Sequence, residues 1–332
     1  MNRPATAILS GQTQRIASVL ANPWVARLAK VTVAATFLLL IAGALVTGNK
    51  AAMSDPTWPK FVGEWYPKYW KGGLVFEDSH RLVATTVGIL TLMLALLIQF
   101  CEPRPRVRKL GWAAFALVVA QALLGGLIIH SIRNPIVSMV HGMVAQAFFC
   151  TVLAIAVFTS SRWMHDIAAS KIHRPENAGY LKLCMWATGL AYAQVVLGTG
   201  VRHTEQVFLP YLVTHICVGT ALFCTSIWLA LRTYQLYPAS TELRRPIAFV
   251  AWYMIVQILL GVASIYANRA RLEPEMALPH HVIESTAHLA GGALLLAVLF
   301  VTTLRARRLL ARDPDSHSSG QALGLSPLET PV

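Results

Sequence analysis

Charged residues are scarce in this chain: 13% of its 332 residues are Asp, Glu, Lys or Arg, against about 25% in soluble domains. The scarcity accompanies a hydrophobic content of 55%, and the hydrophobic residues are concentrated in long runs. An apolar run of about 18 residues or more is typical of a transmembrane helix. The composition therefore argues against an ordinary soluble domain and predicts an integral membrane protein.

Acidic residues are also few, which leaves a formal net charge of +13. Such a charge is common in nucleic-acid-binding proteins, but most of the Lys and Arg residues lie in the two ends of the chain and in alternate loops. Cytoplasmic loops of membrane proteins are enriched in Lys and Arg. The charge therefore predicts a multi-pass protein of the cell (inner) membrane with both termini in the cytoplasm, and no nucleic-acid partner.

Cysteine is missing from the predicted exterior loops. The five cysteines lie within apolar runs or at their ends, so no exterior disulfide framework is expected. The sequence also lacks a C-x-x-C-H motif, which argues against covalent attachment of a c-type haem.

Eight apolar runs predict an all-α integral membrane protein with eight transmembrane helices. The runs lie near residues 31–48, 80–100, 111–130, 136–160, 180–200, 209–231, 248–267 and 281–304. The predicted parts are a cytoplasmic N-terminal arm (1–30), a first four-helix bundle (31–160), a cytoplasmic linker (161–182), a second four-helix bundle (183–304) and a disordered cytoplasmic tail (305–332).

A five-residue pattern that begins with Gln and ends with Gly recurs in the odd-numbered helices. Its copies are Gln121–Gly125, Gln194–Gly198 and Gln257–Gly261, with a weaker one at Leu38–Ala42 followed by Gly43. Small residues let helices approach closely, and Gln hydrogen-bonds across them, so the pattern alone indicates helix packing. Its register predicts two tandem bundles related by a pseudo-twofold axis along the membrane normal.

Each even-numbered helix carries a histidine near its exterior, N-terminal end: His80, His141, His215 and His288. A histidine within a span is a functional hypothesis by default, although a single one is equally explained by a hydrogen bond between helices. Four at one register favour a shared function. Imidazole is a common axial ligand of haem iron, and bundle cores hold such cofactors, so two pairs predict two haem sites. Zinc, copper or a proton relay are weaker alternatives, and His280 and His281 are alternatives to His288.

Glu77 distinguishes the first pair of histidines. It stands three residues before His80, on the same helix face, and no carboxylate occupies that offset before the other three histidines. It is interpreted as a base or a stabiliser of positive charge; the alternative is an acid that begins the helix. Arg81 pairs either with a haem propionate or with Asp78.

The longest predicted exterior loop, residues 49–76, is rich in aromatic residues. These form either an interfacial belt or a cover over a hydrophobic ligand that enters from lipid. They are Trp58, Trp65, Tyr66, Tyr69 and Trp70.

The ordered set of motifs resembles the haem A synthase family, membrane enzymes that convert haem O to haem A for cytochrome oxidase. The matching residues are Glu77-x-x-His80-Arg81, His141, His215, His288 and, more loosely, Asp55-Pro-Thr-Trp58-Pro59. The resemblance covers about residues 31–304. Some members carry a cysteine pair in an exterior loop, and this chain fits the branch without it.

The resemblance implies a role for each site residue. His80, His141 and Arg81 would bind the substrate, haem O; His215 and His288 would hold a resident haem b; and Glu77 would be catalytic. The enzyme would be an oxidoreductase that acts on a CH group, with partners in haem O synthase and cytochrome oxidase assembly. Three rival functions are an electron-carrying di-haem cytochrome, a haem transporter or chaperone, and a structural membrane subunit.

Overall fold

The computed structural model describes residues 22–131, 134–165, 171–204, 208–267 and 281–310. Within these ranges eight helices are long and apolar enough to cross a membrane. We number them α1 (Pro23–Gly48), α2 (Gly73–Cys101), α3 (Pro105–His130), α4 (Pro135–Phe158), α5 (Asn177–His203), α6 (Phe208–Leu236), α7 (Thr241–Ala267) and α8 (His281–Leu309). A short helix, Ser161–His165, follows α4.

The eight predicted spans are confirmed, and every helix except α4 is longer than the apolar run that predicted it. The extra residues are set by local chemistry at the helix ends. The side chain of Asn22 accepts a hydrogen bond from the backbone N–H of Trp24 at 2.9 Å, and the side chain of Asn134 accepts one from Ile136 at 2.9 Å. Proline follows each of these caps, where its fixed φ suits the first helical turn. Hydropathy does not detect such turns because they lie outside the apolar core.

The helices pack as two groups in chain order. In the first group α1 contacts α2 and α4, and α3 contacts α2 and α4; in the second, α5 contacts α6 and α8, and α7 contacts α6 and α8. One buried apolar cluster draws mainly on α1–α4 and another on α5–α8. The pseudo-twofold relation between the groups stays a prediction.

The two groups meet along α1 and α4 on one side and α5 and α8 on the other. Polar contacts cross this boundary. The guanidinium of Arg202 donates to the backbone O of Ala44 at 2.6 Å, and the hydroxyl of Tyr192 donates to the backbone O of Met143 at 3.0 Å. A hydrogen bond within a largely apolar interface fixes the relative position of two helices more closely than apolar packing alone.

The five cysteines are all free thiols within the helices. The greater part of the predicted cytoplasmic arm (residues 1–21) and of the predicted disordered tail (residues 311–332) lies outside the described residues. His280 also lies outside them, so it stays an untested alternative to His288.

Candidate functional site: four histidines and one carboxylate network

All four predicted histidines lie within the first eight or so residues of an even-numbered helix. These helix starts lie at the end of the molecule that carries the loop between α1 and α2, residues 49–72, which we call loop 1. The common position follows from the chain order, because consecutive antiparallel helices bring every second N-terminus to the same end. The fold therefore places the four histidines at the same end of the molecule and at similar distances from the starts of their helices.

A glycine of the preceding odd-numbered helix stands behind each histidine ring. A Cβ built on Gly43 would lie 3.1 Å from Cε1 of its histidine; for Gly125, Gly198 and Gly261 the distances are 3.5, 3.3 and 2.9 Å. The partners are His80, His141, His215 and His288 in that order. We call each histidine with its glycine a histidine seat. The repeated glycine thus serves the histidine directly as well as helix packing.

The structure corrects the register of the weakest copy of the pattern. The sequence aligned Ala42 with the terminal glycines, but Gly43 is the residue that faces His80. The matching pattern in α1 is therefore Leu39–Gly43, without the glutamine. Leucine cannot donate the hydrogen bond that glutamine gives, which makes the seat of His80 the simplest of the four.

The glutamines of the pattern hold the histidine-bearing helices. Nε2 of Gln121 donates to the backbone O of His141 at 2.8 Å, and Nε2 of Gln257 donates to the backbone O of His288 at 2.5 Å. Gln194 lies against Gly219, one turn after His215. The predicted role of glutamine in bonding across helices is therefore confirmed for α3 and α7, and its acceptor is the histidine's own backbone.

The rings of the second pair of histidines are close enough together to be ligands of one metal ion. A metal held about 2 Å from one nitrogen of each imidazole places the ring centroids about 6 Å apart. The centroids of His215 and His288 are 6.1 Å apart, with 73° between the ring planes. Nδ1 of His288 lies 3.1 Å from the backbone O of Gln257, whereas Nδ1 of His80 has no hydrogen-bond partner. In the described part of the chain no three His, Cys, Asp or Glu side chains come together as a metal site.

Glu77 lies in a buried network that joins α2 to loop 1. Its side chain is 5% exposed. Its Oε1 accepts a hydrogen bond from Nη2 of Arg81 at 2.7 Å, and its Oε2 accepts one from the backbone N–H of Asp55 at 3.0 Å. Both carboxylate oxygens are therefore fixed in direction.

Arg81 uses both of its terminal nitrogens within the same network. Nη1 donates to Oδ2 of Asp55 at 2.6 Å and to the backbone O of Lys60 at 2.7 Å. Nη2 donates to the backbone O of Asp55 at 2.6 Å in addition to Glu77. The predicted alternative of a pair with Asp78 is wrong, because both carboxylate oxygens of Asp78 lack hydrogen-bond partners; the contact with a haem propionate stays a prediction.

Asp55 is fully buried and ionised at neutral pH. Burial alone would raise its pKa, but hydrogen bonds from Thr57 and Val62 and the charge of Arg81 together hold the pKa below its usual value. Sequence reasoning singled out the stretch that contains Asp55 without assigning it a contact. The signal was weak because Asp55 and Arg81 are separated by 26 positions in the chain.

Loop 1 also reaches α3. A Cβ built on Gly126 would lie 2.8 Å from the indole ring of Trp58, so this ring lies directly on the helix backbone, one residue from the glycine behind His141. The four other loop 1 aromatic residues predicted as a belt or a cover are exposed: Trp65, Tyr66, Tyr69 and Trp70. Trp58 alone among the five packs against the bundle in this way.

The second bundle has a carboxylate near its histidine as well. Glu284 stands four residues before His288 on the same helix, an offset that the sequence comparison at three residues did not include. Its Oε2 is buried and has no hydrogen-bond partner. Among the described residues, the Asp–Arg–Glu network is built only in the first bundle.

Comparison with known proteins gives one consistent result. The family model COX15-CtaA, described as "Cytochrome oxidase assembly protein", matches residues 69–211, a range that holds Glu77, His80, Arg81 and His141. The "Heme A synthase" of Geobacillus kaustophilus is 26% identical over 319 residues, 89% of this chain and 96% of that protein. The "Heme A synthase" of Shouchella clausii is 28% identical over 206 residues, 61% of this chain and 64% of that protein.

Proposed function

We propose that the chain is a haem A synthase that oxidises a methyl group of haem O to a formyl group, which gives haem A for cytochrome oxidase; its similarity to the COX15-CtaA family model and to proteins named "Heme A synthase" supports this. It is an oxidoreductase and a multi-pass membrane protein. The observation that carries the proposal is that four equivalent histidine seats are present, while among the described residues a buried network like that of Glu77 lies beside the first pair alone. Two similar binding places with one reactive carboxylate network suit an enzyme that keeps one haem and changes another.

In this proposal the first bundle receives haem O between His80 and His141, and the second holds haem b between His215 and His288. The 6.1 Å between the ring centroids of the second pair supports a bis-histidine site. A bound haem b supplies one-electron exchange at its iron. The residues of the chain do the rest: the glycines admit the rings, and the glutamines fix the helices that carry them.

The network around Glu77 supplies fixed negative charge. Two carboxylates, Glu77 and Asp55, share the single guanidinium of Arg81, so the three groups carry a net charge of about −1 when both acids are ionised. Charge that is already oriented before reaction stabilises an opposite charge that develops in the transition state. Glu77 would therefore stabilise positive charge on the methyl carbon during oxidation, or take a proton from the water that attacks it.

The same reasoning extends to location and partners. We place the protein in the cell (inner) membrane with both termini in the cytoplasm, because the loops that alternate with loop 1 are richer in Lys and Arg. The four histidine seats then lie toward the exterior side. Haem O synthase, which would supply the substrate, and the cytochrome oxidase assembly machinery are the proposed protein contacts.

The test is expression of the chain in cells that make haem O but no haem A. Pigments are extracted and separated by mass, and haem A is the expected product. A correctly folded, haem-loaded preparation that yields none would refute the enzyme proposal and favour an electron-carrying di-haem protein.

Two variants divide the roles within the proposal. Glu77→Gln should stop or strongly slow conversion, by about 10²-fold or more if it acts as a proton acceptor, while the second bundle keeps its haem. His215→Ala should remove the resident haem and its absorption. Haem content unchanged in His215→Ala would refute that ligand, and turnover unchanged in Glu77→Gln would refute the catalytic assignment.

A further inference from the structure

Loop 1 is held at two points, one on α2 and the other on the neighbouring helix α3. At one point Asp55 bonds to Arg81 and Glu77 on α2. At the other, the ring of Trp58 lies on Gly126 of α3. The two points are only three residues apart in sequence, so the segment from Asp55 to Trp58 crosses from α2 to α3 at the end of the bundle where His80 and His141 lie.

The segment is internally fixed as well. Oδ1 of Asp55 accepts hydrogen bonds from the backbone N–H of Thr57 at 2.9 Å and from its hydroxyl at 2.6 Å. Oδ2 accepts from the backbone N–H of Val62 at 2.8 Å, in addition to Arg81. The buried carboxylate of Asp55 thus bonds both to its own loop and to Arg81 of α2.

The consequence for Glu77 follows from the donors that it faces. Two of the hydrogen-bond donors that Glu77 faces depend on Asp55: one is the backbone N–H of Asp55, and the other is Arg81, which Asp55 holds by its side chain and its backbone O. Without this support the carboxylate of Glu77 would be less firmly oriented. A small misplacement of a reacting group lowers a rate by as much as about 10²-fold.

A sequence asymmetry supports a role confined to the first bundle. The glycine that backs the histidine is followed by a second glycine only in α3, where Gly126 follows Gly125; the corresponding residues are Ala44, Thr199 and Val262. The second glycine is the one that admits Trp58. The equivalent connection of the second bundle, residues 204–207, is much shorter than loop 1.

We propose that Asp55 is a positioning residue for Glu77, and that it acts through Arg81 and its own backbone N–H, with Trp58 on Gly126 as the second anchor of the same segment. This proposal rests on the proposed function. It assigns Arg81 to holding loop 1, since both terminal nitrogens of its guanidinium are already used by Asp55, Lys60 and Glu77.

The test compares Asp55→Asn with Glu64→Gln in the full-length, haem-loaded protein. Asn keeps the size of the side chain but removes the charge that holds Arg81. Glu64 is the other carboxylate of loop 1, and it pairs with Lys68 at the surface, so its change controls for loss of one negative charge in the loop. Asp55→Asn should lower kcat for haem O by about 10- to 100-fold, with KM changed less than about threefold, and Glu64→Gln should leave kcat as in the wild type.

A second substitution disturbs the same segment at its other anchor, Trp58. An added methyl at Gly126 displaces Trp58, so Gly126→Ala should lower kcat in the same way as Asp55→Asn. Gly88→Ala on α2 is its control, because no atom lies near that position. In all four variants the absorption of the resident haem should match the wild type, which a general loss of folding would not allow.

Hydrogen exchange supplies a readout that does not need turnover. The amides of Asp55 and Val62, which donate to Glu77 and Asp55, should exchange at least about tenfold faster in Asp55→Asn, with α6 and α8 unchanged. Wild-type kcat in Asp55→Asn, while the wild type makes haem A, would overturn the positioning role and leave the proposed function intact. If the wild type makes no haem A, the proposed function fails, and unchanged exchange in Asp55→Asn would then overturn the anchoring of loop 1 independently.

Discussion

If the second bundle holds a haem between His215 and His288 as proposed, substitution of Gly261 by alanine should weaken its binding. The new methyl carbon would lie 2.9 Å from Cε1 of His288, closer than carbon atoms approach without repulsion. The ring cannot simply turn away, because Nε2 of Gln257 contacts its Nδ1 at 3.1 Å and holds its backbone O at 2.5 Å. Forcing one methyl into a packed site costs about 1–3 kcal/mol, which corresponds to roughly 5- to 150-fold weaker haem binding.

The geometry also predicts an order among the four seats. The distances from the added carbon to the histidine increase from Gly261 through Gly43 and Gly198 to Gly125, at 2.9, 3.1, 3.3 and 3.5 Å. The last of these is an ordinary van der Waals contact. Within the second bundle, Gly261→Ala should therefore reduce haem affinity more than Gly198→Ala does.

The assay titrates the detergent-purified protein with haem and measures the haem-to-protein ratio. Absorption and spin-resonance spectra of the oxidised form are recorded as well, because both respond to a tilted imidazole ligand. Gly189→Ala in α5 is the matched control, since nothing lies within contact distance of that position. Alanine stabilises a helix by up to about 1 kcal/mol relative to glycine, so weaker haem binding in Gly261→Ala cannot come from helix propensity. Wild-type affinity and spectra in a folded Gly261→Ala protein would refute the seat as described.

Three further predictions concern stability and pH. Arg202→Ala removes the 2.6 Å hydrogen bond to the C-terminal turn of α1 and should lower the free energy of unfolding by about 1.5–3 kcal/mol, measured by thermal unfolding in detergent. Tyr237→Phe removes the 2.6 Å hydrogen bond from the Tyr237 hydroxyl to Oδ1 of Asn177 and should lower the free energy of unfolding by about 0.5–1.5 kcal/mol in the same assay. The pKa of Asp55 is lowered in the folded protein, so its stabilisation of loop 1 is complete above the usual carboxyl pKa of about 3.9 and is lost as the pH falls through the lower folded value. The Val62 amide should therefore lose its protection from hydrogen exchange only in that acidic range. Loss of protection already between pH 7 and 5 would contradict the assignment.

Local sequence patterns were sufficient for the spans and for the register of the four histidines. Both are properties of residues close together in the chain: an apolar run long enough to cross lipid, and a ring and a glycine placed at fixed points of successive helices. The same patterns could not assign Arg81, because its choice among Asp55, Asp78 and a ligand depends on where loop 1 folds.

By itself the sequence determined that this protein is an eight-helix membrane protein with four equivalent histidines, since repetition and hydropathy are written in neighbouring residues. Only the tertiary structure decided that Gly43, and not Ala42, faces His80, and that Asp55 and Trp58 anchor loop 1 to α2 and α3. The physical reason is that these contacts join segments far apart in the chain. Their formation depends on the burial of the Asp55 carboxylate and on the absence of a side chain at Gly126, which no local pattern of residues reveals. The four histidines are alike in register, and the long-range contacts of loop 1 make the surroundings of the first pair different.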